Sequence, residues 1–171
     1  MTTDQPPSPA LPKAAADAWG RLIPRLIESG RAGRSVESQR GICDHYQRQG
    51  WDPVLAWVRS QHGVEMTMAE GLTHVDQPPE ALAGLRRVLE EFDAFTLGAL
   101  HVVASITGST VLALAVADGF VSGAHAFELS HIDENYQAEK WGEDAEAIKR
   151  TAALAHDLDK AVALIALSRS S

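Results

Sequence analysis

The chain has 171 residues, enough for one domain with its own core, and 45% of them are hydrophobic, as in ordinary globular proteins. Lys and Arg number 15 against 23 Asp and Glu, a formal charge of −8, which leaves no basic face to grip a phosphate backbone and argues against a nucleic-acid partner. The single cysteine, Cys43, can form neither an internal disulfide nor a cysteine zinc site, and no apolar stretch approaches the ~20 residues that span a bilayer.

Residues 1–12 hold four prolines among polar residues and are expected to be a disordered tail, without the basic start and apolar core of a signal peptide. Trp19, Leu22, Ile23, Leu26 and Ile27 then recur at helical spacing, interrupted by Pro24 and closed by Gly30. A weaker helix is expected from Ser35 to Gln49, stopped by Gly50. Asp52-Pro53 reads as a helix start, an N-cap side chain followed by proline at the first helical position, for a helix carrying Val54, Leu55, Trp57 and Val58 to Gly63. Val64 to Met68 alternates apolar and polar and is expected to be a short strand, which needs a partner for its backbone.

Pro78 and Pro79 open a helix with Leu82, Leu85, Leu89 and Phe92 on one stripe, and Asp93 caps the next. From Phe95 to Ile106 that next helix is apolar nearly all round, so it is expected to be buried. Gly108 and Ser109 break it, and Val111 to Ala117 follows as a short buried helix closed by Asp118-Gly119. Ser122 to Lys140 is expected to be one amphipathic helix. After Gly142, a last helix runs to about Leu167, with Ile148, Ala152, Ala155, Leu158, Val162 and Ile165 as its apolar face and Glu143, Asp144 and Glu146 at its start. The fold class is therefore all-α or mostly α: a compact helical bundle with at most one short strand near 64–68. Three divisions follow: the tail 1–12, N-terminal helices over 13–50, and a helical domain over 51–168.

Catalytic signatures are missing. The seven histidines form no HExxH or other compact ligand pair, Thr107-Gly108-Ser109-Thr110 lacks the lysine and spacing of a phosphate loop, and no GxSxG elbow occurs. Asp133 and Glu134 are neighbours, hence about 100° apart on a helix, which does not suit a carboxylate dyad. Alone, the polar run from Ser130 to Asp144 reads as a solvated face, and Trp141 as a core anchor. No catalytic residue, cofactor or metal is expected.

Four stretches in order carry a resemblance: Trp51-Asp52-Pro53-Val54-Leu55-Ala56-Trp57; Gln77-Pro78-Pro79-Glu80-Ala81-Leu82; Phe95 to Val116 with Ala99-Leu100-His101 and Thr107-Gly108-Ser109; and Asp133-Glu134-Asn135-Tyr136-Gln137 with Glu139-Lys140-Trp141-Gly142-Glu143-Asp144. Together they resemble the C-terminal helical domain of the ATP synthase F(1) sector assembly chaperones, those specific for the α subunit in mitochondria and related bacteria. The resemblance covers about residues 51–167. It implies a non-enzymatic chaperone, without cofactor, that holds the unassembled α subunit, in the bacterial cytoplasm or, in a eukaryote, the mitochondrial matrix. It also implies that Asp133, Glu134, Gln137 and Trp141 contact the partner. Family members carry a β-rich N-terminal domain, whereas the fifty residues before Trp51 are proline-rich and then helical, so that domain is expected to be absent. Two other readings stand beside this one: a diverged small helical enzyme using the acidic 133–144 segment, which requires a deep pocket at those carboxylates, and a dimerising interaction module, which requires a large exposed apolar patch.

Overall fold

The computed structural model describes residues 42–67, 76–132 and 145–169, with 134, 135, 138 and 142 between the last two, and for residues 42–48 the backbone alone. The expected tail at 1–12 and the Trp19–Ile27 helix lie outside the described residues. Among the described residues every regular element is a helix: α1 Ile42–His62, α2 Pro79–Glu90, α3 Ala94–Thr107, α4 Thr110–Ala117, α5 Gly123–Ser130 and α6 Ala145–Ser168.

Two expected elements have merged in α1, which runs without a break through Gly50 and Pro53. Proline removes the N–H that would bond the carbonyl four residues back. Here Pro53 and Gln49 both lie on the exposed side, so water can satisfy that carbonyl, while Val54 and Val58 are fully buried on the other. Gly50 is a packing residue, not a cap: a Cβ there would come 2.4 Å from Leu129 Cδ2 of α5. The helix closes one turn later, where Gly63 takes φ 66° and its N–H bonds the Arg59 carbonyl at 3.0 Å.

The expected strand does not form over 64–67; Met68 lies outside the described residues. What replaces a partner strand is one side chain. The Thr67 N–H donates to Gln77 Oε1 at 2.9 Å, and Gln77 Nε2 donates to the Thr67 carbonyl at 2.8 Å. A carboxamide has the donor and acceptor of a peptide group, so Gln77 pairs with Thr67 as a strand residue would. Val64, fully buried, packs where α2 has Gly84.

Asp93 caps α3, accepting the N–H of Phe95 at 2.8 Å and of Thr96 at 3.1 Å. The small residues Thr107-Gly108-Ser109 form the corner into α4: Gly108 takes φ 67°, and Ser109 Oγ accepts the Leu112 N–H at 3.2 Å. All eight residues of α4 are buried, and it packs against α1, α3, α5 and α6. Near the start of α3, Thr96 Oγ1 meets Ser168 Oγ at the end of α6 at 2.7 Å, and the two helices pack along one another, so they run antiparallel. Arg169, one residue beyond α6, donates to the Ala117 carbonyl at the end of α4.

Two expectations about burial change. α3 is not buried all round: Leu97, Leu100, Val103 and Ala104 are inside, while Phe95 and Val102 face solvent. On α6 the apolar face is buried from Leu158 onward, whereas Ile148 and Ala152 are exposed. Leu100 is fully buried, and Trp57 is half-buried against the core.

Candidate functional site

The polar segment singled out in the sequence starts where α5 ends. Ser122 caps α5, its Oγ accepting the His125 N–H at 3.1 Å, and Leu129 is buried against Gly50 of α1. The helix expected from Ser122 to Lys140 is broken at His131, which caps α5 with φ −119° and ψ 19°. Local bonding holds the break. Ser130 Oγ donates to the Phe127 carbonyl at 2.8 Å, His131 Nδ1 lies 3.0 Å from the same carbonyl, and the His131 ring stacks on Phe127 at 4.1 Å. A histidine stacked on a phenylalanine four residues before it gives no periodicity signal, so the sequence read through the break.

Beyond the break the chain is helical again at Ile132, Glu134, Asn135 and Ala138, with the Asn135 N–H bonded to the His131 carbonyl at 2.8 Å. Ile132 is half-buried and packs on the core beside Gly50. Glu134 and Asn135 are exposed. The Gly142 N–H bonds the Ala138 carbonyl at 2.9 Å, and Gly142 takes φ 82°, so a left-handed residue turns the chain before α6. Asp133, Gln137 and Trp141 lie outside the described residues, so of the four candidate partner-binding residues the structure places Glu134 alone. Among the described residues no group of three His, Cys, Asp or Glu side chains is arranged to hold a metal ion, and no helix is long and apolar enough to cross a membrane.

A second polar and aromatic cluster escaped the sequence reading. His62 Nε2, at the end of α1, lies 2.9 Å from Asp118 Oδ2 at the end of α4. Alongside, the Trp57 ring stacks on Phe120 at 5.1 Å and 14° and meets the His62 ring edge-on, also at 5.1 Å. Gly119, at φ 75°, makes the turn that brings Phe120 back over α1. These residues are some 60 positions apart in the chain and share no motif. Their visible work is structural, joining the ends of two helices that meet in the core.

No protein-family model matches the sequence. Among solved structures the chain is similar to Atp12 from Paracoccus denitrificans, with a TM-score of 0.83 and 29% identity over 90% of this chain. The D202K mutant of the same Atp12 gives a TM-score of 0.83 and 28% identity. Similarity extends to the Agrobacterium tumefaciens protein Atu1473, itself proposed to be a chaperone, with a TM-score of 0.81 and 33% identity over 88% of this chain. The chain spans 66% of the Paracoccus protein and 57% of the Agrobacterium one.

Proposed function

We propose that this chain, similar in fold and sequence to the Atp12 chaperones, is an assembly chaperone that binds the unassembled α subunit of the F(1) sector of ATP synthase and promotes F(1) assembly. The observation that carries the reading is the agreement between four ordered sequence stretches and a fold match over 90% of the chain. An unassembled α subunit exposes apolar surface meant for its neighbour in the complex, and such surface aggregates. Covering it until the β subunit arrives requires affinity and release, not chemistry. The place of action is the compartment where F(1) is assembled, the bacterial cytoplasm or the mitochondrial matrix of a eukaryote.

In this reading Asp133, Glu134, Gln137 and Trp141 contact the client. Glu134 is exposed while Ile132, two residues before it, anchors the segment to the core. An exposed carboxylate on an anchored segment can meet an arginine or lysine of the client, where a charge pair bears mainly on specificity and dissociation rate. The test pairs capture with stability. Glu134→Lys is expected to keep its thermal midpoint, since exposed substitutions stay within about 0.5 kcal/mol of neutral, and to lose capture of tagged α subunit in a pull-down. Full capture by the mutant removes Glu134 from the contact, and failure of the unmodified protein to capture the α subunit removes the proposed client.

A further inference from the structure

His131 has two ring nitrogens, and the break after α5 uses one of them. Nδ1 lies 3.0 Å from the Phe127 carbonyl oxygen and 2.9 Å from Ser130 Oγ. A carbonyl oxygen can only accept, so at that distance Nδ1 must bear the proton; two facing lone pairs would repel. The Ser130 hydroxyl donates to the same carbonyl at 2.8 Å, which leaves its oxygen able to accept from Nδ1 as well. The bond at one nitrogen sets the tautomer, so in the neutral ring Nε2 is an acceptor.

Nε2 has no partner inside the fold. It bonds no described residue and is open to solvent, since the buried side-chain nitrogen that lacks a partner among the described residues is His101 Nδ1. The ring that carries it is held firmly. It stacks on Phe127 at 4.1 Å, Phe127 packs on the core, and the two local oxygens fix the Nδ1 edge. A group already held loses little freedom when a partner binds it, which favours it over a mobile side chain as a contact. Its place matters too. The Asn135 N–H bonds the His131 carbonyl at 2.8 Å, so His131 begins the turn that carries Glu134 and Asn135, both exposed. We propose that neutral His131 presents Nε2 to the client as a hydrogen-bond acceptor, extending the contact surface from Glu134 onto the end of α5. The inference rests on the α-subunit reading and adds the chemistry of the client at this point: an N–H or O–H donor.

Three substitutions separate contact from support. His131→Asn places an amide N–H near the position of Nδ1 and keeps the bond to the Phe127 carbonyl, while it loses the stack and Nε2. His131→Phe keeps the stack and loses both nitrogens. Each, assayed well below its thermal midpoint, is expected to reduce capture of tagged α subunit about fivefold, the loss of one hydrogen bond. Ser130→Ala weakens the break but leaves Nε2 in place, and is expected to retain capture. Full capture by either His131 variant overturns the proposal, and so does an equal loss in Ser130→Ala, which would make His131 a support of the break alone. Nitrogen-15 NMR of the free protein needs no client. The neutral ring is expected to show its proton on Nδ1 and an unprotonated Nε2, and a proton on Nε2 overturns the proposal by itself. Absence of capture by the unmodified protein removes the client and this contact together, whereas equal capture by the unmodified protein and His131→Asn removes this contact alone.

Discussion

Asp93 does two jobs at the head of α3, and the second shows in its titration. Partial burial pushes its carboxyl up, but the Thr96 hydroxyl and the backbone N–H groups of Thr96 and Phe95 outweigh that and hold it below the usual carboxylate range. A carboxyl depressed in the folded state contributes stability above the unfolded value of about 3.9 and loses it as pH falls through the lower folded value. Asp93→Ala is expected to cost about 0.5–2 kcal/mol at neutral pH, the usual loss for an N-cap. Asp93→Asn, which keeps an acceptor but cannot titrate, is expected to approach the unmodified protein as pH falls below about 4. Urea melts across that range check both. Deeper in the molecule, Leu100→Ala is expected to cost about 2–5 kcal/mol, because the side chain is fully buried and its neighbours cannot close the gap. A thermal midpoint unchanged by that substitution would place Leu100 outside the core.

At the scale of elements, the turns and caps were the most legible part of the sequence. Asp93, Ser109 and Gly108 act where their chemistry says they should, since capping is a local matter of one side chain and the next two or three N–H groups. Long-range packing was less legible. Gly50 looks like a stop signal until Leu129, 79 residues later, occupies the space where its Cβ would be. Pro53 looks like a start signal until the solvent side of α1 is known. The strand expected from Val64 to Met68 does not form over the described residues 64–67, because the Thr67 backbone is paired instead by the Gln77 side chain, which no periodicity marks. Gln77→Ala is therefore expected to lower stability by about 1 kcal/mol and to speed hydrogen exchange at the Thr67 amide, with helices α3 and α4 unaffected. Unchanged exchange at Thr67 would mean that the clip does not hold in solution. The candidate site divides in the same way. Motif order proposes the 133–144 segment, of which the structure describes only a part, whereas the joint of His62, Asp118, Trp57 and Phe120 arises from chain crossing and was invisible.

For the whole molecule, the bundle depends on its last helix. α6 packs along α3, touches α4 and α5, and reaches the end of α4 through Arg169. A chain ending at Gly142 is expected to be insoluble, or soluble only as an assembly with exposed apolar surface that binds a hydrophobic dye, and sedimentation with dye fluorescence checks this. A monodisperse monomer that binds no dye would show that α1 to α5 form a sufficient core by themselves.

That dependence has a consequence in time. α4 is wholly apolar apart from Thr110 and has no solvent side, yet a helix that covers it, α6, contributes Leu158, Ala161 and Ile165 some forty to fifty residues later in the chain. At translation rates of about 5–20 residues per second, the central helix waits roughly 2–10 s on the ribosome for those side chains. During that interval the nascent polypeptide carries an uncovered greasy strip of the kind this protein is proposed to shield on its client. The birth of each molecule thus repeats, within a single chain, the hazard of an orphaned subunit.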